Sequence, residues 1–278
     1  MKSNLKYFAP CLLVLLTQAA FAAQPGGGSS FTVLSAAPNG GGAVTCTDSI
    51  ITGVVGSSGQ PASVTQTNCT INGAVVAPVS AGVLSDFESG YKALASVPYH
   101  NLLTGTLAGV TLSPGVYCFD AAAALTGTLT LNGGLNDTWL IKIGNGAVGA
   151  LTGTNFDVVM TGGATACNVT WWVDAAATMT TSHFLGTIYA GAAITFTGSA
   201  AMETSEGQAL ARAGVTLTGV NFVGCEGSSA PAKGKCNQGV GNGPEACDPG
   251  NSNQGNPFRS NDELGGVPGT PGRQGGNK

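Results

Sequence analysis

The sequence of this 278-residue chain predicts an all-β fold, a three-faced parallel β-helix (β-solenoid) with one long α-helix packed along a face. Three observations support this prediction. A Thr-rich phrase returns every 17 to 26 residues between positions 103 and 219, a more apolar run lies between successive phrases, and one segment has helical periodicity. Short strands that repeat with a period near twenty residues are typical of solenoids, in which each coil adds one strand to every face.

Composition narrows the range of functions. Only 9% of the residues are charged and the formal net charge is −4, whereas 44 residues are Gly and 30 are Thr. So few charges argue against nucleic-acid binding, which depends on clustered cations. The two His residues stand apart and the carboxylates are scattered, so the usual groups of acid–base catalysis are not brought together in the sequence. We therefore expect neither an enzyme nor a cofactor.

The first 23 residues have the features of a secretory signal peptide. Lys2 and Lys6 precede an apolar stretch from Phe8 to Leu16, and Ala20-Phe21-Ala22 matches a cleavage site. The apolar stretch is too short to span a bilayer, and no later segment offers eighteen consecutive apolar residues. We therefore expect a secreted protein, extracellular or at the cell surface, without a membrane span.

Seven cysteines remain after the signal peptide, at positions 46, 69, 118, 167, 225, 236 and 247. An exported protein meets an oxidising environment, and no Cys-x-x-Cys motif or paired His suggests a metal site, so disulfides are favoured. The local pairs Cys46–Cys69 and Cys236–Cys247 are the simplest pairing, although spacing alone does not fix it. One thiol is left over.

The predicted helix covers residues 82 to 97. Ser85 and Glu88 have the spacing of a capping box, Phe87, Tyr91 and Leu94 form one apolar stripe, and Pro98 ends the segment. The apolar runs between Thr phrases are apolar at consecutive positions, which indicates strands covered on both sides. We expect the helix to cover the face that contains Trp139, Ile141, Trp171 and Ile188.

The flanking regions are less regular. Residues 31 to 80 contain looser strand pieces, among them Thr45-Cys46-Thr47 and Val64-Thr65-Gln66-Thr67, and are interpreted as irregular coils or a cap. Residues 226 to 278 are rich in Gly, Asn and Pro and are predicted to be a tail outside a domain of residues 24–225, with attachment to a cell surface as one role. Calcium binding by the tail's oxygen-bearing side chains (Asp248, Asn251, Asn253, Asp262 and Glu263) is an alternative.

Each Thr-x-Thr phrase places both hydroxyls on one side of a strand, because side chains two residues apart face the same way. Met179, Phe196 and Leu217 occupy the middle position and are large and apolar, so they are predicted to face inward. The flanking threonines then face outward in two files, and the same register is extended to earlier phrases with a middle Gly. The candidate site residues are Thr104, Thr106, Thr126, Thr128, Thr152, Thr154, Thr178, Thr180, Thr195, Thr197, Thr216 and Thr218.

Such a rigid, uncharged lattice of hydroxyl and methyl groups suits ordered water, and ice is the predicted partner. Each hydroxyl can bind one water molecule while its methyl group fills a gap in an ice-like layer, at most about 1 kcal/mol per contact. An array is therefore required. Thr also stacks on exposed strands simply because it favours β structure, which is the alternative explanation of the pattern.

Several phrases resemble those of the microbial ice-binding protein family with the discontinuous β-solenoid, or type 1 ice-binding, fold. The resemblance covers residues 30 to 225 and rests on Leu103-Thr104-Gly105-Thr106-Leu107-Ala108-Gly109, Ser113-Pro114-Gly115-Val116-Tyr117, Leu125-Thr126-Gly127-Thr128-Leu129-Thr130-Leu131, Cys167-Asn168-Val169-Thr170-Trp171 and Ala209-Leu210-Ala211-Arg212-Ala213-Gly214-Val215-Thr216-Leu217. It implies a right-handed three-faced β-helix, a long helix along one face, a flat face that adsorbs to ice, and terminal coils that are not stacked in chain order. Gln208 departs from the family pattern, which has Arg at this position.

Two other functions stay open from the sequence. One is a secreted adhesin-like module in which the solenoid is a spacer. The other is a carbohydrate-active β-helix enzyme, which requires carboxylates gathered on one face. Between residues 103 and 225 the only Lys and Arg residues are Lys142 and Arg212, and six carboxylates are spread over separate coils, so the enzyme is the weakest of the three.

Overall fold

A computed structural model describes residues 30–99, 101–144, 148–199 and 202–225. The predicted signal peptide, the tail with its calcium alternative and the Cys236–Cys247 pair lie outside the described residues. The described strands are β1 Val33–Ser35, β2 Val44–Thr47, β3 Ile50–Thr52, β4 Val55–Ser57, β5 Val64–Thr67, β6 Thr70–Asn72, β7 Val75–Val76, β8 Asn101–Leu102, β9 Val110–Leu112, β10 Gly115–Phe119, β11 Ala123–Asn132, β12 Trp139–Ile143, β13 Leu151–Thr161, β14 Val169–Val173, β15 Ala177–Thr180, β16 Leu185–Ala190, β17 Ile194–Thr197, β18 Glu203–Ala211, β19 Val215–Thr218 and β20 Val220–Gly224. The described residues also form the helix α1, Ala81–Ser96, and short 3₁₀ turns at Pro38–Gly40, Pro61–Ser63 and Ala166–Asn168.

The strands form a twelve-stranded and an eight-stranded sheet, and the paired strands of both sheets run parallel, as the repeats predict. The coil made of β2, β3 and β4 shows how they stack. Its strands pair in the same order with β5, β6 and β7, which places Val44 beside Val64, Ile50 beside Thr70 and Val55 beside Val75. Partners are thus twenty residues apart in every ladder of this pair of coils, which matches the period of the sequence.

The stacking order differs from the chain order. In the eight-stranded sheet the order is β5-β2-β19-β17-β15-β13-β11-β9, so the N-terminal coils continue the stack beyond the C-terminal one. Residues 31 to 80 are therefore regular coils of the same sheets, and their interpretation as irregular was wrong. β7 and β8 lie at opposite ends of the twelve-stranded sheet, eight strand spacings or about 38 Å apart. The chain that connects them must cover this distance. The 16 residues of α1 supply about 24 Å of this path.

The observed bounds of the helix differ from the predicted range, 82 to 97, by one residue at each end. The predicted cap was wrong, because a cap at Ser85 would start the helix five residues later than observed. Ser80 is the N-cap, and its hydroxyl accepts a hydrogen bond from the backbone N–H of Val83 at 3.3 Å. Ser85 lies inside the helix, and Glu88 pairs with Arg212 instead of capping. In the part of the chain that the structure describes, no helix is both long and apolar enough to cross a membrane.

The helix covers the twelve-stranded sheet, but through other residues than predicted. Trp139, Ile141, Trp171 and Ile188 point to the opposite side, into the interior between the sheets. Phe87 and Tyr91 of α1 pack instead on the alternate positions of the same strands, Leu140, Trp172, Tyr189 and Leu210. Because both sides of these strands are buried, apolarity alone did not show which alternate set faces the helix.

The interior is closed by apolar side chains from both sheets and contains a continuous series of aromatic contacts. Trp171 lies 5.1 Å from Phe184 between ring centroids, and Phe196 lies 5.1 Å from Phe222 and 6.0 Å from Phe184. All four rings are buried. The predicted disulfide Cys46–Cys69 is confirmed, and a second one joins Cys167 to Cys225. Of the cysteines that the structure describes, Cys118 alone is free, and it is buried.

Candidate functional site: the Thr surface

Six consecutive strands of the eight-stranded sheet carry two threonines each, and strand pairing aligns them in two straight files. The first file is Thr65, Thr45, Thr216, Thr195, Thr178 and Thr152, and the second is Thr67, Thr47, Thr218, Thr197, Thr180 and Thr154. We call these twelve residues the Thr surface. Neighbouring strands in a sheet are about 4.8 Å apart and side chains two residues apart are separated by about 6.7 Å, so the surface is a regular grid.

The threonines face outward because the residue between the two threonines of a strand faces the interior. Met179, Phe196 and Leu217 are buried, as the sequence predicts, and so is Cys46. The threonines beside them are exposed or half-buried. Since a shift of one residue would exchange the two sets, burial of these apolar side chains fixes the register of the whole surface.

Gly153 follows the same rule for a different reason. It lies between Thr152 and Thr154, and a Cβ atom at this position would come within 2.6 Å of Sδ of Met179 on the next strand. The long Met179 side chain thus fills the space beneath two coils. A larger residue at 153 would displace the Met179 side chain and shift the four threonines that flank these two positions out of alignment.

Both borders of the Thr surface are regular as well. In five of the six coils the residue after the second Thr adopts a left-handed conformation, with φ between 46° and 66°, at Asp48, Asn68, Asn155, Thr181 and Gly219. The chain therefore turns directly after the second Thr in each of these five coils. On the other border, two residues before the first Thr, the side chains are small: Ala43, Ser63, Ala150, Ala176, Ala193 and Gly214. Their carbonyls continue the ladder, as in the bonds from Leu151 N to Ala176 O and from Ala177 N to Ala193 O. None of these six side chains is large enough to project above the first file.

The predicted site residues divide into three groups. Those from Thr152 to Thr218 lie in the two files. Thr126 lies at the end of the second file, where the pairing of β11 with β13 shifts between Leu125 and Gly127. Thr128 is past this shift and stands beside Asp157, while Thr104 and Thr106 lie between β8 and β9, outside the strands. The structure therefore does not bring Thr104, Thr106 and Thr128 into the files.

Four members of the files were missed by the sequence reasoning. They are Thr45, Thr47, Thr65 and Thr67, which lie on β2 and β5. A signal was present, because Val44-Thr45-Cys46-Thr47 has the same alternation as Val215-Thr216-Leu217-Thr218. What the sequence lacked was the stacking order that makes β2 the neighbour of β19.

The chemistry available on this surface is limited to weak, neutral hydrogen bonding. The six Thr-bearing four-residue segments contain no charged residue, and Asp48 stands at one corner, where its carboxylate accepts a hydrogen bond from Asn68 at 3.1 Å. Among the residues described, no three His, Cys, Asp or Glu side chains are grouped as metal ligands. The surface can bind a neutral, periodic ligand through hydroxyl and methyl groups together.

Comparison with known proteins gives a consistent result. A family model described as ice-binding-like matches residues 35–222. An ice-binding protein of Nostoc sp. (strain HG1) is 34% identical over 236 residues, 80% of this chain and 84% of that protein. One from Colwellia sp. is 31% identical over 218 residues, 71% and 81% of the two chains. The crystal structure of an ice-binding protein from an Antarctic biological consortium matches with a TM-score of 0.59 and 27% identity, covering 80% of this chain and 96% of that one.

Proposed function

Because this chain belongs to the ice-binding-like family, we propose that it is a secreted ice-binding protein that adsorbs to ice through the Thr surface and inhibits ice recrystallisation. The observation that carries the proposal is the unbroken alignment of twelve threonines over six neighbouring strands. Thr126 extends the second file at its edge. The proposal includes no catalytic step.

Adsorption follows from the sum of many weak contacts. Each hydroxyl contributes at most about 1 kcal/mol through a bound water, so one or two threonines would exchange their water too freely to hold a crystal. A rigid array adds these contacts at little entropic cost, because the parallel ladder and the stiff Thr rotamers are fixed before binding. The absence of charge within the six segments avoids the desolvation cost that a charged group would incur against neutral ice.

The proposal includes the finer architecture. We take each coil to contribute one strand to each of three faces of a right-handed β-helix, since β2, β3 and β4 pair one for one with β5, β6 and β7. Right-handed connections are the general rule for parallel strands of one sheet. Residues 24–225 form the ice-binding domain in this proposal, and residues 226–278 lie outside it as an attachment segment.

The test compares two substitutions of exposed threonines in the same sheet. Thr152→Tyr raises a ring several ångströms above the first file and holds neighbouring coils away from ice, so recrystallisation inhibition should be almost lost. Thr111→Tyr places the same ring on β9, outside both files, and should leave inhibition unchanged. Both variants leave the core intact, so thermal unfolding should change by no more than about 0.5 kcal/mol in free energy.

The outcomes separate the function from the site. Equal inhibition by wild type and the Thr152→Tyr variant would show that another face binds ice. A wild-type protein that neither shapes ice crystals nor slows recrystallisation would refute the function itself. Equal loss in both variants would point to a general effect of the added ring.

A further inference from the structure

The coil made of β5, β6 and β7 ends the stack of the described residues. Each of its three strands pairs with a neighbour on one side only, namely β2, β3 and β4. The other edge of each strand therefore presents backbone N–H and C=O groups that no described strand satisfies. Free edges of this kind pair readily with further strands, and proteins commonly protect them with charged side chains.

This coil has no such protection. No charged residue occurs between Asp48 and Asp86, a stretch that contains the whole coil. The rest of the described region has a clear excess of one sign, because residues 30–225 carry nine carboxylates and three cationic side chains, a net charge of −6. Two copies of such a domain repel each other over most surfaces. The end coil is a place where a second copy can approach without opposing like charges directly.

Apolar side chains are also exposed there. Val75 and Val76 are 44% and 38% exposed, and Ile71 is half-buried against the core. Gln66 occupies the inward position of β5, where β2 has the buried Cys46, yet it is exposed because no further coil lies beyond it. Its amide both donates and accepts hydrogen bonds, so two such groups can satisfy each other.

We propose that the end coil is the contact surface for a second copy of this chain, with the free edge of β5 paired antiparallel to the same edge of the partner. A two-fold axis beside Gln66 pairs Thr65 with Thr67 of the partner subunit. Because this axis is perpendicular to the sheet, the threonines of both subunits face the same side. Antiparallel pairing preserves the spacing of about 4.8 Å between strands. Each file of six threonines would then continue into a file of the partner, which doubles the Thr surface. This last consequence rests on the proposed function, whereas the dimer does not.

Sedimentation velocity of the mature full-length protein over a wide concentration range tests the proposal. We expect a species of twice the chain mass that dissociates on dilution. Gln66→Lys places like charges at the axis, and Val75→Lys adds a charge to the exposed apolar side chains of the same end coil, so each variant should be a monomer. Val159→Lys is the matched control, because Val159 is 43% exposed on β13 but lies away from the end coil, and it should leave the dimer intact.

Hydrogen exchange at the amides of Thr65 to Asn72 gives a second measurement. In the proposed dimer the edge amides are protected at high concentration and exchange faster on dilution. A wild-type monomer at all concentrations overturns the inference, and so does protection that is independent of concentration, since a segment of the same chain would then cover the edge. Dimers formed equally by the Val75→Lys and Gln66→Lys variants also overturn it. None of these results affects the ice proposal, because Thr152→Tyr should change recrystallisation inhibition without changing the mass.

Discussion

At the scale of single residues, the hydroxyl group of Tyr189 lies buried between α1 and the twelve-stranded sheet. Its ring stacks on Phe87, 5.8 Å between centroids, but its oxygen has no hydrogen-bond partner within the described structure. A buried, unsatisfied hydroxyl costs about 1 to 3 kcal/mol. Burial also raises the pKa of Tyr189 to about 12, so the group stays neutral.

Tyr189→Phe should therefore raise the free energy of unfolding by about 1 kcal/mol, as measured by urea denaturation. Tyr91→Phe is the control with the opposite sign, because the Tyr91 hydroxyl donates to the carbonyl of Val173 at 3.2 Å. The free energy of unfolding of the Tyr91→Phe variant should be lower by about 1 kcal/mol. A loss of stability in both variants would mean that Tyr189 has a partner in solution, such as an internal water.

The Thr surface shows which residues of the candidate site can be predicted from the sequence pattern alone. Large apolar residues between threonines define the orientation of three coils without ambiguity, and Met179, Phe196 and Leu217 are buried as expected. Where the middle residue is Gly, the pattern carries no such information. Gly153 is buried, but Gly105 is exposed, and the shift after Leu125 removes Thr128 from the file. Glycine contributes no apolar side chain that would need burial, so nothing in the phrase fixed its orientation.

At the scale of secondary-structure elements, the helix was predicted in the right place with the wrong cap. The sequence predicts a cap at Ser85 because Glu88 completes a capping box, whereas the observed N-cap is Ser80. The tertiary structure uses Glu88 otherwise. Its carboxylate accepts hydrogen bonds from Nε of Arg212, at 2.7 Å, and from a second guanidinium nitrogen of the same side chain. A contact between residues 124 positions apart cannot be seen in the local sequence.

This ion pair makes the attachment of α1 dependent on pH. The hydrogen bonds from Arg212 hold the pKa of Glu88 below its ordinary value. A carboxyl group whose pKa is lower in the folded state stabilises the protein above its unfolded pKa, and this contribution is lost as pH falls through the folded value. Glu88→Gln should therefore cost about 1 kcal/mol at pH 7, since the pair is partly exposed, and almost nothing well below the folded pKa.

Thermal unfolding of wild type and the Glu88→Gln variant at neutral and at strongly acidic pH measures this difference. The two proteins should converge in acid, because protonated Glu and Gln are both neutral. Arg212 keeps its contact with the Tyr91 ring, 4.0 Å from the centroid, in either protein. A stability gap that stays constant with pH would mean that the shape of the Glu88 side chain, and not its charge, explains its role.

At the scale of the whole molecule, the second disulfide ties together parts of the chain that are distant in sequence. Cys167 precedes β14 and Cys225 follows β20, with a sequence separation of 58 residues. Closing a loop of this length in the unfolded chain removes conformational entropy worth about 4 kcal/mol. Its position was not predicted, because the sequence favours local pairs and the 3₁₀ turn at Ala166–Asn168 has no marked signal.

Replacing both Cys167 and Cys225 by Ala should therefore lower the free energy of unfolding by about 2 to 4 kcal/mol. Chemical denaturation under non-reducing conditions measures the change. The protein should remain folded, because neither sulfur belongs to the interior cluster formed by the two sheets. An unchanged midpoint of unfolding would show that the bond is not formed in the mature protein.

The placement of the N-terminal coils beyond the C-terminal one has a consequence for how the chain folds. In a linear solenoid most contacts are local, so folding can begin in any repeat and spread to its neighbours. Here Val44 of β2 pairs with Val215 of β19, which come together only after 170 intervening residues have been made. Folding limited by such distant contacts is slow, since loop-closure entropy is lost before the contacts form. The two N-terminal coils therefore remain without their neighbouring strand until β19 has been synthesised, so the stack can close only late in the synthesis of this domain.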